Sequence, residues 1–189
     1  LHPKEEDLMK ILNLYFSSTG NTEKVALRIS ATAAKMGHQV DTIKIAGEPD
    51  REVDLLEYDV VFIGSGVYQW LPGKALQEFI EAKLSQYAAA KEIKLSAPRR
   101  PQKKGVVYCT YGGAHTGANE ALPAVKYMGQ LLDHLGIEVV AEWYVIGAYP
   151  DKGRFAGLSA GGRLGNIEGR PNEADLADVA ERVTGVLRM

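Results

Sequence analysis

Residues 11–16 are almost wholly apolar, and the run stops at a cluster of small hydroxyl residues, beyond which the apolar spacing changes from strand-like to helical. That switch repeats along the chain, and few architectures accommodate it: short buried strands joined by amphipathic crossover helices. From Thr22 to Met36 the residues Val25, Ala26, Ile29, Ala33 and Met36 keep helical spacing, and Gly37 ends the run. Residues 40–45 read as a second strand, and 60–63 as a third that is apolar on both faces. Pro72 is expected to open a helix on Leu76, Phe79, Ile80 and Leu84. Residues 91–104, with Pro98 and Pro101 among lysines and arginines, read as an exposed connector.

A fourth strand is expected at 106–109 and a helix on Leu122, Val125, Met128, Leu132 and Leu135, ended by Gly136. A fifth strand follows at 137–146. Asn172, with Asp175 three residues on, predicts a capping box for a last helix facing the sheet through Leu176, Val179, Ala180, Val183 and Leu187. The expectation is an α/β fold: a doubly wound three-layer α-β-α sandwich around a five-stranded parallel sheet. Right-handed crossovers leave few topologies, of which order 2-1-3-4-5 is one of the two common ones. At 189 residues, the whole of 1–189 reads as one domain.

Composition narrows the chemistry. A formal net charge of -2 gives no bulk attraction to nucleic acid or to an anionic membrane. The basic run Arg99, Arg100, Lys103 and Lys104 lacks interleaved aromatics, so nucleic acid is not the expected partner. No apolar run is long enough for membrane insertion and no secretory signal opens the sequence, so a cytoplasmic domain is the expectation. The single cysteine, Cys109, allows neither an intrachain disulfide nor a cysteine-ligated cluster, and reads as a core thiol. Four scattered histidines show no metal-binding spacing, so no metal is expected.

The loop after the first strand, Ser17, Ser18, Thr19, Gly20, Asn21 and Thr22, leads straight into a helix. Free N–H groups of a first helical turn point at an anion, and the helix dipole favours its charge. The hydroxyls add donors, and Gly20 permits positive φ or close approach of a ligand. Neither G-x-x-x-x-G-K-[ST] nor G-x-G-x-x-G is present, so a nucleoside triphosphate and a dinucleotide are disfavoured. Neutral donors without a cation suit a phosphate monoester.

Residues 15–22, followed by Ala26 and Ile29, resemble the phosphate-loop signature of the flavodoxin family. The resemblance extends over most of the chain from Ile11 onward. It departs at Asn13, where the pattern usually carries an aliphatic residue. What it implies is the 2-1-3-4-5 flavodoxin-like sheet and a non-covalent FMN.

Two further segments would bracket the flavin ring. After the third strand come Gly64, Ser65, Gly66, Val67, Tyr68, Gln69, Trp70, Leu71 and Pro72; after the fourth, Thr110, Tyr111, Gly112, Gly113, Ala114, His115, Thr116 and Gly117. Tyr68 and Trp70 are stacking candidates on one side and Tyr111 on the other. The N–H groups of Gly112 and Gly113 are candidates for the polar ring edge, and glycine there makes a peptide flip inexpensive. His115 is a candidate for stabilising negative charge on the reduced ring, although an exposed loop histidine is the simpler reading. Gly66, Val67, Gln69, Thr110 and Gly117 complete the expected cofactor contacts; no catalytic acid or base is assigned.

Residues 147–171 contain seven glycines and three arginines without apolar periodicity, and loops this long usually carry function. Arg154, Arg163 and Arg170 are candidates for a nicotinamide phosphate or an acidic partner, with solvated arginines the simpler reading. The function expected is FMN redox chemistry with a protein partner or a small electron acceptor. The alternatives are an NAD(P)H-dependent quinone or FMN oxidoreductase and a cofactor-free binding domain. The oligomeric state stays open.

Overall fold

The computed structural model describes residues 8–46 and 52–189. Five long parallel strands form its sheet: β1 (Lys10–Phe16), β2 (Gln39–Lys44), β3 (Val60–Tyr68), β5 (Lys104–Tyr111) and β6 (Glu138–Ile146). A two-residue strand, β4 (Leu71–Pro72), folds back antiparallel on β3. The order is β2-β1-β3-β5-β6, which is 2-1-3-4-5 once β4 is left out.

Successive residues of a strand face opposite layers, and both layers here are apolar. Ile11, Phe62, Val106 and Trp143 face Val25 and Ile29 of α1 (Asn21–Lys35) and Val179 and Val183 of α5 (Glu173–Val186). On the opposite face Leu12, Leu14, Ile63 and Val107 meet Phe79 and Ile80 of α2 (Lys74–Ala89) and Val125 and Met128 of α3 (Leu122–His134). A fifth, single-turn helix, α4 (Leu158–Gly161), lies within the long loop before α5. Cys109 is fully buried in the α2–α3 layer.

Two local expectations need correction. Pro72 does not open α2; it pairs with Val67 in β4, and the helix begins at Lys74 behind Gly73. Proline fits there because β4 is an edge strand, where a missing N–H costs no ladder bond. The third and fourth long strands also outrun their apolar segments. Gly64 and Gly66 stay in register with Tyr108 and Thr110, so the ladder continues where hydropathy stops. The Tyr108 ring lies over Gly64, where an added Cβ would sit 2.1 Å from a ring carbon, so glycine is required inside this strand.

Asn13, the departure noted in β1, is fully buried and fully bonded. Its Nδ2 donates to Ala26 O at 2.8 Å and to Ser30 Oγ at 2.9 Å, and its Oδ1 accepts from the Tyr108 hydroxyl at 2.9 Å. The amide thus joins β1 to α1 and β5.

Candidate cofactor-binding site

The sheet order brings the loops after β1, β3 and β5 together, because β3 lies between the other two strands. Ligands of open α/β sheets bind at such carboxyl ends.

At the end of β1, Gly20 adopts φ 89° and ends the loop, and no side chain caps α1 behind it. The first helical turn therefore keeps backbone donors available for an anion. Ser17 is turned inward and its Oγ accepts from the Gly20 N–H at 3.1 Å, while Ser18 and Thr19 are exposed. Thr22 is buried, its hydroxyl 2.8 Å from that of Thr110 in β5. Asn21 Nδ2 donates to Ala148 O at 2.8 Å, tying this loop to the segment after β6. Glu23, the one acid of the first turn, is paired with Lys44 and Tyr15. Hydrogen bonds from Lys44 and then Tyr15 hold its carboxyl below the usual range. Tyr15 itself is pushed up to about 12, by burial first and then by Glu23, and stays a neutral donor.

β3 and β4 form a hairpin whose two-residue tip is Gln69-Trp70, at φ 49° and 69°. Positive φ at both tip residues is what the right-handed strand twist favours, but outside glycine it costs about 1 kcal/mol each. The tip presents Trp70 at 61% exposure, beside Leu71 at 38%. Tyr68 turns back over the strand instead. Its ring stands nearly perpendicular to that of Phe16 at a centroid distance of 5.8 Å, and its hydroxyl lies 2.6 Å from Ser18 Oγ and 3.3 Å from Ser18 N. A Cβ on Gly66 would come within 2.8 Å of that hydroxyl. Val67 is half-buried and packs against the α2–α3 core.

At the end of β5, Thr110 and Tyr111 still belong to the strand. Tyr111 is buried in the apolar cluster beneath the loop, so its ring contributes to the core there. Gly112 is covered by Tyr149, whose ring would lie 2.1 Å from an added Cβ. The Tyr149 hydroxyl accepts from Ala114 N at 3.2 Å. Gly113 has φ 53° and its carbonyl accepts from Gly117 N at 3.0 Å. The N–H groups of His115 and Thr116 both donate to Glu120 Oε1 at 2.7 Å, and the His115 side chain is exposed.

Tyr149 and Glu120 escape a reading by segments. The one available signal for Tyr149 is its place just after β6, the strand next to β5. The segment 147–171 is a strap over the β5 loop. Tyr149 stacks on Phe155 at 5.9 Å, Arg163 N donates to Ala114 O at 2.8 Å, and Ser159 Oγ accepts from Tyr149 N at 2.9 Å. Of the three loop arginines, Arg170 forms a two-pronged pair with Asp175 and is not a solvated cation. Arg163 is exposed, with its Cγ about 3.6 Å from where a Gly117 Cβ would stand. The Arg154 side chain lies outside the described structure.

The donor chemistry fits a phosphate monoester attached to a flat ring. Residues 17–22 offer hydroxyls and backbone N–H groups with no cation, and glycine backbone stands in both neighbouring loops, with the exposed Trp70 after β3. An open cleft of about 650 Å³ lies between α1 and α5, lined in part by Arg28, Lys35 and Thr184, and does not include these loops. Among the described residues no group of three or more His, Cys, Asp or Glu is placed to hold a metal ion, and no helix is long and apolar enough to cross a membrane.

A family model described as a flavodoxin domain matches residues 12–121. No curated protein matches the sequence significantly. Among solved structures, the chain is similar to oxidised flavodoxin 1 from Bacillus cereus, with TM-score 0.63 and 16% identity over 95% of this chain and 97% of that one. Flavodoxin 2 from Bacillus cereus gives TM-score 0.62 and 20% identity, over 93% and 95%. A flavodoxin, WrbA-like protein from Agrobacterium tumefaciens gives TM-score 0.60 and 16% identity, over 95% and 98%. At these identities the likeness is one of fold.

Proposed function

The chain belongs to the flavodoxin domain family, and from that premise we propose that it holds FMN non-covalently and moves electrons through it. The observation that carries this reading is the loop of residues 17–22: an uncapped helix start behind a left-handed glycine, rich in neutral donors, at the carboxyl end of β1. Ser18, Thr19 and the first-turn N–H groups of α1 would hold the phosphate, with the helix dipole adding to the attraction. Thr22 and Thr110 share two hydroxyl protons and spend one on each other, which leaves one for a phosphate oxygen.

Trp70 at the hairpin tip, and the backbone of Gly112 and Gly113 on the β5 loop, would flank the ring, while Tyr68 turns to Ser18. The flavin supplies the redox chemistry; the protein supplies binding, orientation and the polarity around the ring. No lysine or arginine stands among the residues of these three loops, so the site favours the ring in its neutral forms.

A second reading, an NAD(P)H-dependent oxidoreductase acting on a quinone-like acceptor, draws support from the strap. Tyr149 and Phe155 make an aromatic wall beside Gly112, suited to a second planar molecule. Arg170 gives that reading nothing, since Asp175 occupies it.

The test is an absorption spectrum of the purified protein, followed by addition of NADH or NADPH with and without benzoquinone. The expected protein is yellow, or turns yellow with added flavin, and releases FMN rather than FAD on denaturation. A protein that stays colourless with excess FMN overturns the proposal. Turnover of the nicotinamide favours the enzyme, and none with either favours the carrier with a protein partner.

A further inference from the structure

Tyr68 holds a position that neither ring stacking nor core packing explains. Its hydroxyl accepts the Ser18 N–H at 3.3 Å and lies 2.6 Å from the Ser18 hydroxyl, a contact in which either oxygen can donate, so one oxygen engages both polar groups of a single phosphate-loop residue. That is how a phosphate oxygen would be held. The strand beneath is cut away for it, because a side chain at Gly66 would collide with the phenol. A near-perpendicular contact with Phe16 steers the ring, and Phe16 is itself seated against Gly73, where a Cβ would come within 2.1 Å of its ring. Four residues outside the phosphate loop thus place one neutral oxygen on that loop.

We propose that Tyr68 is a specificity-determining latch: its hydroxyl and the phosphate of the flavin compete for the N–H and hydroxyl of Ser18. This rests on the FMN reading given above. A phosphate dianion is a stronger acceptor than a neutral phenol, so the phosphate wins, but it must first displace Tyr68. A flavin without phosphate has nothing with which to open the latch. Tyr68 therefore lowers the affinity for FMN while leaving that for riboflavin untouched. The latch also connects the two halves of the site, because Tyr68 opens the same two-residue turn that carries Trp70.

The test is Y68F, which removes the oxygen and keeps the ring against Phe16 and Gly66. Dissociation constants for FMN and for riboflavin are measured on wild type and variant by quenching of flavin fluorescence. Y68F is expected to bind FMN roughly three- to tenfold more tightly, the size of one neutral hydrogen bond removed from the competition, with riboflavin unchanged. Unchanged or weaker FMN binding overturns the latch; weaker binding would make Tyr68 a phosphate ligand instead. An equal gain for both flavins also overturns it, since the phenol would then act on the ring. If wild type takes up neither flavin, the cofactor reading itself falls and the latch with it, an outcome distinct from uptake without a gain in Y68F.

Discussion

Thr22 and Thr110 come from different elements, and their hydroxyls meet in a buried contact that joins the phosphate loop to the strand beneath the ring loop. Thr22→Val keeps the shape and strands the Thr110 hydroxyl. The expected result is a loss of about 1–2 kcal/mol of stability in urea unfolding, with the slope unchanged. FMN affinity is expected to fall as well; an unchanged FMN titration would remove Thr22 from the phosphate contacts. Asn13 shows how a single residue can be legible as odd without being explained. Its polarity inside an apolar strand is plain in the sequence, but Tyr108 and Ser30, which satisfy it, are assembled only by folding.

Among the elements, the capped start of helix α5 was readable, whereas Ala180, expected to face the sheet, lines the cleft beside α1. Asn172 and Asp175 form the expected capping box, with Asn172 Oδ1 accepting from Ala174 N and Asp175 N and the Asp175 carboxylate accepting from Asn172 N. Burial alone would raise the Asp175 carboxyl. The hydrogen bonds from Arg170 and from Asn172 N, with the Arg170 charge, outweigh burial and hold it below 3.8. The folded state thus gives up this proton more readily than the unfolded chain. Its stabilisation is complete above 3.8 and is lost as the pH falls through the lowered folded value. Unfolding experiments from about pH 5 down to about pH 2.5 should show a stability decline that Asp175→Asn flattens. An identical slope in both proteins would show that the pair does not titrate with folding.

The hairpin was less legible for a physical reason. Glycine and serine ended the apolar run at Gly64, whereas the ladder is carried past it by Tyr108 packing on bare backbone. Pro72, readable as a helix start, is instead claimed by pairing with Val67, a partner five residues back that local propensity does not reveal.

For the whole molecule, the alternation of strand and helix spacing was enough to give the layers, and the resemblance carried by residues 15–22 then selected the sheet order and with it the grouping of three loops. It could not give the strap, because Tyr149 acts through contacts with Gly112 and Ala114 that depend on β6 lying beside β5. A cofactor bound across three loops should stabilise the fold as one unit. With FMN at about 100 times its dissociation constant, the gain is about 2.7 kcal/mol. For a chain of this size that corresponds to a melting temperature raised by about 5–10 °C, measurable by calorimetry. A melting temperature indifferent to FMN would contradict binding to the folded state.

The sheet also shelters the chain's one thiol. Cys109 is fully buried, and burial, then the Glu142 charge, pushes its proton affinity well above the ordinary range. To a maleimide dye the native protein is therefore silent. A cysteine introduced at the hairpin tip would be the single labelled position, and the motion of that hairpin could be followed optically without first removing any native residue.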